Sequence, residues 1–598
     1  MSAGLMKLLS LVFALVVLSL GCSRPIDPSD DPLDPTTPTD PDDPTPADPD
    51  PTDPDPVDPV DPDPTDPIYP TDPIDPTDPT DPTQTDPPPP LCGDECVLGD
   101  VGCSLRDVDG DPQTLDPGDR LADRARAFEK WLRNDTDSLF HGGIVSARYE
   151  TTARHDVDSV YIGDTALHTG VYLAAEAARL TATNSPRART NVRQLSETID
   201  RWLRIPGQPG VLATFSAPAG DARLRQWTDW DCNDFDRHCD VAWNGQRWDY
   251  VGDPSRDMYV GPLMGLFLAH RALGSSEPAT TALLREDLMV LAEEVTRLRT
   301  MPVRFTINGL ELPPRDMEMR FFIPDDTEMI DGAVDVTIDT GDVENSGAIT
   351  GGQEFFPNPS VLFRQIDMLG NLRDIPRRSS AMMVGAFVTA ALDATENDPA
   401  FATRRAALMD FWNNNDDEWG NGDSMVGYAA GYEGDQDCDS AYFGANIAFI
   451  PAYVWSLAEP NEARHERVVD EVIGSLHEGL GPDKNAFFDA MTVGAHQSLG
   501  RPVDPTIASA TLAQIEDFPS PPRVRRDVDG GQGGCADDAL DVSDRPVVYF
   551  QWHSNPWNTR DDGDARQTYP GHDYLVAYWF ARMHGLLEDE RPEVCLQN

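Results

Sequence analysis

The chain has 598 residues and carries 104 acidic against 46 basic side chains, which gives a formal net charge of −58 at pH 7. A negative charge of this size repels nucleic acids and anionic lipid surfaces, so neither is a good partner for the folded part of the chain. The sequence contains no P-loop, dinucleotide fingerprint, G-x-S-x-G elbow or H-E-x-x-H motif. Strong acidity suits a secreted protein that stays soluble, or one that binds cations.

Residues 1–21 are typical of a secretory signal peptide. Lys7 precedes an apolar run that is too short to span a bilayer comfortably, and small residues follow at the expected cut. Cys22 comes directly after the cut and resembles the cysteine of a bacterial lipobox, although Ser19 replaces the usual leucine. We therefore predict lipidation of Cys22 and a location in the bacterial cell envelope, anchored at the outer membrane on its periplasmic or surface face. An ordinary cleaved signal peptide is the alternative.

Residues 22–91 consist almost wholly of Asp, Pro and Thr, with twenty aspartates and a single arginine. Proline fixes φ and removes backbone donors, while the aspartates repel one another, so this stretch forms no core. We predict a disordered, extended tether whose reach is on the order of 200 Å at most, at about 3.1 Å per residue. Such a tether serves as a spacer between a lipid anchor and a domain.

Eight further cysteines follow Cys22, and an even number in an exported chain favours disulfides. Three of them lie in a connector over residues 92–114. Cys232 and Cys239 are close enough to close a short acidic loop and are predicted to form a disulfide. Zinc is the alternative, but the spacings contain no paired C-x2-C units.

Five later segments share one pattern: a polar residue, a glycine within a few positions, and then a helix-length run that is apolar nearly all round. A helix that is apolar on every side is a buried helix. The apolar runs are 171–180, 262–273, 386–392, 445–457 and 574–587.

Amphipathic segments lie between these runs and predict surface helices. They are residues 118–132, 187–203, 280–298, 400–412 and 462–476. Buried and surface helices that alternate five or six times predict helical hairpins closed in a ring. A long stretch over residues 301–360 instead contains strand-like alternation and predicts a small β-rich insertion.

This organisation resembles the six-hairpin, or (α/α) toroid, group of carbohydrate-active enzymes over residues 115–590. The catalytic motifs of a named glycosidase family do not match cleanly. The resemblance implies an all-α (α/α)5–6 toroid, ahead of a short tail at residues 591–598. It also implies an oligo- or polysaccharide partner at the mouth formed by the inner helices, but no particular reaction.

Residues just before the inner helices are expected to face that mouth, because helix N-termini offer unpaired N–H groups and a positive dipole end. Asp164 and Asp257 begin neighbouring inner helices and are the predicted catalytic pair, as acid and base. The alternative for each aspartate is a helix cap, which is a common use of that residue.

Aromatic, histidine and arginine side chains near the same helix starts are predicted to bind the sugar, since aromatic faces stack on sugar rings and polar groups bond the hydroxyls. For individual members a packing role is the alternative. The predicted set is Tyr161, His168, Trp230, Trp248, Arg256, Tyr259, Arg378, Tyr442, Trp552, His553 and His572.

No cofactor and no metal ligands are predicted, with a loosely bound calcium ion as the alternative. Asp107, Asp109 and Asp111 have the spacing of a calcium loop, but Pro112 stands where an EF-hand requires glycine and the twelfth position lacks glutamate. The aspartates of residues 229–236 are a second candidate.

The leading hypothesis is a cell-envelope lipoprotein that hydrolyses glycosidic bonds with paired carboxylates. A polysaccharide lyase is one alternative. Others are a non-catalytic glycan-binding lipoprotein and a purely structural surface protein.

Overall fold

The computed structural model describes residues 121–234, 236–252, 254–307, 310–311, 313, 315–319, 334–338, 359–360, 375–376, 378–416, 420–432, 442–525, 534–559 and 563–587. Internal contacts divide the chain into two units, Met1–Pro82 and Thr83–Asn598, and every described residue lies in the second. The predicted signal peptide, Cys22, the tether, the connector and the C-terminal tail lie outside the described residues. Within them, no helix is long and apolar enough to cross a membrane.

The described residues are mostly helical, as predicted. The helices are α1 (Leu121–Lys130), α2 (Thr165–Thr183), α3 (Pro186–Arg204), α4 (Ala222–Trp227), α5 (Val260–Leu273), α6 (Pro278–Thr296), α7 (Arg378–Ala394), α8 (Ala402–Asn414), α9 (Gly422–Ala429), α10 (Phe443–Ala458), α11 (Glu462–Arg467), α12 (Gly474–Leu480), α13 (Ala486–Ser498), α14 (Pro505–Asp517) and α15 (His572–Met583).

Six helices, α2, α5, α7, α10, α13 and α15, are apolar and buried along most of their length. Five of them coincide with the predicted buried runs. The sixth, α13, was missed because polar residues such as Asp489 interrupt its apolar pattern. Asp489 is nevertheless buried, since His477 and Gln514 bond its carboxylate at 3.2 and 3.0 Å.

The helices between them have one apolar face and one solvated face, as α3 illustrates. Val192, Leu195, Ile199 and Trp202 form its buried stripe. Its start is fixed by Ser185, whose hydroxyl accepts a hydrogen bond from Ala188 N at 3.3 Å, and by proline at the first helical position.

The buried helices pack against one another in a definite order. α2 contacts α5 and α15, α5 contacts α7 and α10, α7 contacts α10, and α13 contacts α10 and α15. The approach of α2 and α5 depends on glycine, because a Cβ on Gly170 would lie 2.0 Å from the carbonyl carbon of Gly261. The starts of these two helices are therefore held close together.

Short strands connect the helices. They are β1 (Leu139–Phe140), β2 (Gly143–Ile144), β3 (Ser146–Tyr149), β4 (Val157–Tyr161), β5 (Phe215–Pro218), β6 (Arg237–Trp243), β7 (Gln246–Val251), β8 (Arg299–Ile307), β9 (Leu310–Glu311), β10 (Arg315–Met319), β11 (Val334–Ile338), β12 (Pro359–Ser360), β13 (Ile375–Pro376) and β14 (Gln567–Thr568).

Besides the two-stranded pairs β1-β2 and β12-β13, three larger sheets follow from their pairing in the described residues. The first has the order β14-β3-β4 and the second β5-β7-β6, and both are antiparallel. In the predicted insertion, β8 pairs with β10 antiparallel and with β11 in parallel. β4 and β7 end shortly before α2 and α5, so these two sheets position the residues that start those helices.

Candidate active site

Two carboxylates stand at the adjoining starts of α2 and α5. Asp164 lies between β4 and α2, and Asp257 lies in a 3₁₀ turn, Arg256–Tyr259, which leads into α5. Both side chains are partly exposed. Their charges interact, because Asp257 contributes to raising the pKa of Asp164. The sequence-predicted pair is thus brought together.

Asp164 occupies the cap position of α2, yet its side chain bonds no backbone N–H of that helix. Its carboxylate accepts a hydrogen bond from the Tyr161 hydroxyl at 3.0 Å. Burial raises the pKa of Asp164, the bond from Tyr161 lowers it and the charge of Asp257 raises it, and the pKa stays above its ordinary value. Asp164 therefore keeps a proton to higher pH than a surface aspartate does.

Asp257 accepts a hydrogen bond from the Ser255 hydroxyl. Its charge also acts on His553, which is partly exposed on the segment before α15. Burial is the larger effect on that histidine and lowers its pKa to about 4, although Asp257 opposes the change. His553 is therefore a neutral imidazole at neutral pH, and it lies within the electrostatic reach of a carboxylate.

Tyr161 is the aromatic side chain of this group that reaches solvent, with 50% of its surface exposed. Burial of the hydroxyl and the charges of Asp164 and Asp257 raise its pKa. Its ring stands edge-to-face with Tyr549 at 6.1 Å between ring centres. A half-exposed aromatic ring beside two carboxylates is a suitable surface for the apolar face of a sugar.

His168 and His572 lie beneath this surface and are fully buried. His168 Nδ1 and His572 Nε2 are 2.9 Å apart and share a hydrogen bond. Burial lowers the pKa of each well below its ordinary value, so both are neutral. The sequence predicted that they contact substrate, whereas their position supports the site from within the core.

Three further predicted binding residues also have partners in the core. The Tyr259 hydroxyl donates to Gly210 O at 3.0 Å, and Trp552 Nε1 donates to Asp573 O at 2.7 Å. Tyr442 is buried beside Asn485, whose side-chain nitrogen lies 3.4 Å from its hydroxyl. All three therefore stabilise the ends of buried helices.

Three more predicted residues lie on β7, in the 3₁₀ turn before α5 and at the first position of α7. Trp248 is largely buried under the guanidinium of Arg201, at 4.4 Å from its ring centre. Arg256 is partly buried next to Asp257 in the same turn. Arg378 begins α7, is exposed and donates to Gly431 O.

The predicted disulfide between Cys232 and Cys239 is confirmed, with 5.8 Å between the Cα atoms. Trp230 packs against it, and its Nε1 lies 3.1 Å from Cys239 Sγ. Trp230 is therefore largely buried by its own loop. Cys535 is also disulfide-bonded.

Sequence reasoning missed Tyr549, whose ring centre is 3.9 Å from that of His168. The Tyr549 hydroxyl donates to Ile144 O at 2.7 Å, which fixes the ring between the core and Tyr161. The only available signal was that Tyr549 stands in the aromatic segment before α15. Its contacts join residues that are hundreds of positions apart, which a local pattern does not reveal.

Among the described residues, no three His, Cys, Asp or Glu side chains come together in a way that would hold a metal ion. The described part of the acidic loop, residues 229–234 and 236, therefore holds no such cluster. The other calcium candidate, Asp107–Asp111, lies outside the described residues.

Comparison with known proteins adds no relative: no protein family, curated protein or solved structure matches this chain.

Proposed function

We propose that this chain is a carbohydrate-active protein of the bacterial cell envelope that hydrolyses glycosidic bonds, with Asp164 as general acid and Asp257 as base. The observation that carries this proposal is that the two carboxylates interact electrostatically at adjoining helix starts, while Asp164 is not used as a helix cap. Two carboxyl groups in different environments are the usual equipment for this reaction.

The proposed fold is a ring of six helical hairpins. Support comes from the regular alternation of buried and surface helices along the described chain. It also comes from the order of contacts, in which each of the six buried helices packs against the next and α15 packs against α2. In such a ring the starts of the inner helices meet at one mouth, where Asp164 and Asp257 would receive the substrate.

The roles follow from the electrostatics. A general acid must hold its proton at the working pH, and the raised pKa of Asp164 is a shift in the direction that this role requires. Asp257 would accept a proton from the attacking water, and the neutral imidazole of His553 would orient that water or a sugar hydroxyl. Tyr161 would stack on the sugar ring. A carboxyl separation of about 5–5.5 Å would give retention, and about 6.5–9.5 Å inversion.

One observation favours a second candidate, elimination by a polysaccharide lyase. Removal of a proton from a uronate sugar requires a base that is unprotonated at neutral pH, and His553 meets this condition. Tyr161 and Asp164 would then protonate the leaving oxygen. The two reactions differ in their products, because elimination leaves an unsaturated sugar that absorbs in the ultraviolet and hydrolysis does not.

The test is to incubate the purified protein with a panel of poly- and oligosaccharides and to measure released reducing ends and ultraviolet absorbance. On any substrate that is cleaved, Asp164→Asn and Asp257→Asn should each lower turnover about 10²-fold or more. Asp504→Asn is the matched control, because Asp504 is an exposed aspartate at the start of α14. Normal turnover by both site variants would show that the chemistry lies elsewhere.

Binding of a glycan without any turnover would instead favour a non-catalytic binding protein.

A further inference from the structure

One buried histidine, His168, has ring contacts on the Asp164 side and on the Asp257 side of the proposed site. His168 lies four residues after Asp164, on the first turn of α2, and its backbone N–H bonds the carbonyl oxygen of Asp164 at 3.2 Å. The side chain is fully buried and therefore does not touch a substrate outside the core. Its ring contacts nevertheless lead to each carboxylate by a separate path.

The first path leads to Asp164 through two tyrosines. The ring of His168 lies against Tyr549, at 3.9 Å between ring centres. Tyr549 stands edge-to-face with Tyr161, which donates its hydrogen bond to Asp164. Tyr161 is half exposed, so the contact with Tyr549 is one of the constraints on its orientation.

The second path leads to Asp257 through another histidine. The ring centres of His168 and His553 are 5.8 Å apart, and the charge of Asp257 acts on His553. His168 thus contacts Tyr549, which leads to Asp164, and His553, on which the charge of Asp257 acts.

The orientation of His168 is itself fixed. Its Nδ1 is joined to His572 Nε2 at 2.9 Å, and His572 packs on Phe550 with 5.1 Å between ring centres. One hydrogen bond between two neutral imidazoles requires one ring to donate and the other to accept, so neither ring rotates without breaking that bond.

We propose that His168 is a positioning residue, clamped by His572, which holds Tyr161 and His553 in the orientations that serve Asp164 and Asp257. This role rests on the proposed function, but the geometry can be tested without a substrate. The physical reason is packing: removal of the His168 ring leaves space into which Tyr549 relaxes, and Tyr161 then loses its contact. The Tyr161 hydroxyl would then move away from the carboxylates towards water.

The probe is nitration of Tyr161 by tetranitromethane, which attacks the phenolate, followed by mass mapping of the peptide that contains it. In the native protein, Tyr161 should react slowly at pH 8 although it is half exposed, because its pKa is raised. A fall of one pKa unit would increase its phenolate fraction about tenfold.

His168→Ala should therefore accelerate nitration of Tyr161 several-fold. His572→Ala removes the clamp and a more distant ring contact with Tyr549, at 5.9 Å between ring centres, and should accelerate it to a smaller extent. The matched control is His584→Ala, since His584 bonds Tyr453 and Gln497 rather than the site. Buried Tyr172 and Tyr574 serve as internal controls, because they should stay unmodified in every variant that is folded.

An unchanged rate of Tyr161 nitration in a folded His168→Ala variant would overturn the proposal. Should that variant not fold, His572→Ala decides in the same way. On a cleaved glycan, His168→Ala should lower kcat with little change in KM, which a role in stability alone would not produce. Failure to find any substrate would count against the proposed function and would leave the nitration result standing.

Discussion

The hydroxyl of Tyr161 donates a 3.0 Å hydrogen bond to the carboxylate of Asp164, and that carboxylate bonds no backbone N–H of the helix it precedes. By contrast, Asp504 at the start of α14 accepts a bond from Thr506 N at 2.7 Å. Two aspartates in the same sequence position relative to a helix thus have different partners, and this difference has a measurable consequence.

Asp504→Ala should lower the free energy of unfolding by about 0.5–2 kcal/mol, which is the usual cost of removing a helix cap. Asp164→Ala removes no cap and relieves a partly buried carboxylate whose pKa is raised, but it also removes the hydrogen bond from Tyr161, so its loss of stability should be smaller than that of Asp504→Ala. Urea unfolding of both variants provides the measurement. Equal losses would mean that Asp164 is a cap after all.

Gly261 should not tolerate alanine. A Cβ at this position would lie 2.1 Å from Leu167 O, so α2 and α5 would have to separate. Overpacking of this kind costs about 1–3 kcal/mol or more, and Gly261→Ala should lower the thermal midpoint clearly.

Gly427 in α9 is the matched control, because a Cβ there would meet nothing within 4 Å. Gly427→Ala should raise stability by up to about 1 kcal/mol through helix propensity. Similar midpoints for the two alanine variants would mean that α2 and α5 are not in contact as described.

The sequence was sufficient to predict five of the six buried helices and the proximity of Asp164 to Asp257. Both predictions depend on local patterns: an apolar run long enough for a helix, and the polar residues that precede it by a few positions. The strand pairing in the insertion was harder to predict from the sequence. β8 and β11 are parallel partners, and nothing in either segment specifies that direction.

The sequence failed where burial depends on distant partners. His168 was placed at the mouth because it stands near a helix start, but a residue four positions into a buried helix faces the core. Its actual neighbours, Tyr549 and His572, lie 381 and 404 positions away, and only the folded chain brings the three together.

Lipidation of Cys22 remains a prediction from the sequence. Cys22→Ser should release the protein from the membrane fraction, because it removes the thiol that would carry the lipid. Immunoblots of membrane and soluble fractions provide the measurement, and Ser23→Ala is a control that leaves the cysteine in place. Wild-type amounts of the serine variant in the membrane would exclude the lipobox interpretation.

The last prediction concerns Glu129 on α1 and Glu176 on α2, which are buried beside the buried Arg179 and the partly exposed Arg133. Arg179 Nη1 lies 3.3 Å from the carboxylate of Glu176 and 3.9 Å from that of Glu129, and Arg133 pairs with Glu129 at 3.2 Å. Tyr172 donates to Glu129 at 3.0 Å, while Asn191 donates to Glu176 at 2.9 Å.

The two acids differ in their titration. Burial and the neighbouring charge of Glu129 raise the pKa of Glu176 to about 7, whereas the two arginines oppose this change. The pKa of Glu129 is lowered from its ordinary value, since the attraction of Arg133 and Arg179 and its hydrogen bonds exceed the cost of its burial. Any effect of Glu129 on the pH dependence of stability therefore occurs at a more acidic pH than that of Glu176.

The sign for Glu176 follows from proton binding. Between the ordinary glutamate value of 4.5 and about 7, the folded chain holds a proton that the unfolded chain has released. Stability must therefore fall as pH rises through this interval, and the contribution present below pH 4.5 is lost above pH 7.

Glu176→Gln keeps the shape of the protonated side chain and cannot ionise. Its thermal midpoint should fall less than that of the wild type between pH 5 and pH 8, so that the variant becomes the relatively more stable protein at pH 8. Glu197→Gln, on an exposed position of α3, is the matched control and should follow the wild type. If the wild type and Glu176→Gln have parallel profiles over this range, Glu176 is ionised throughout, and the α1–α2 contact is then held by two full ion pairs.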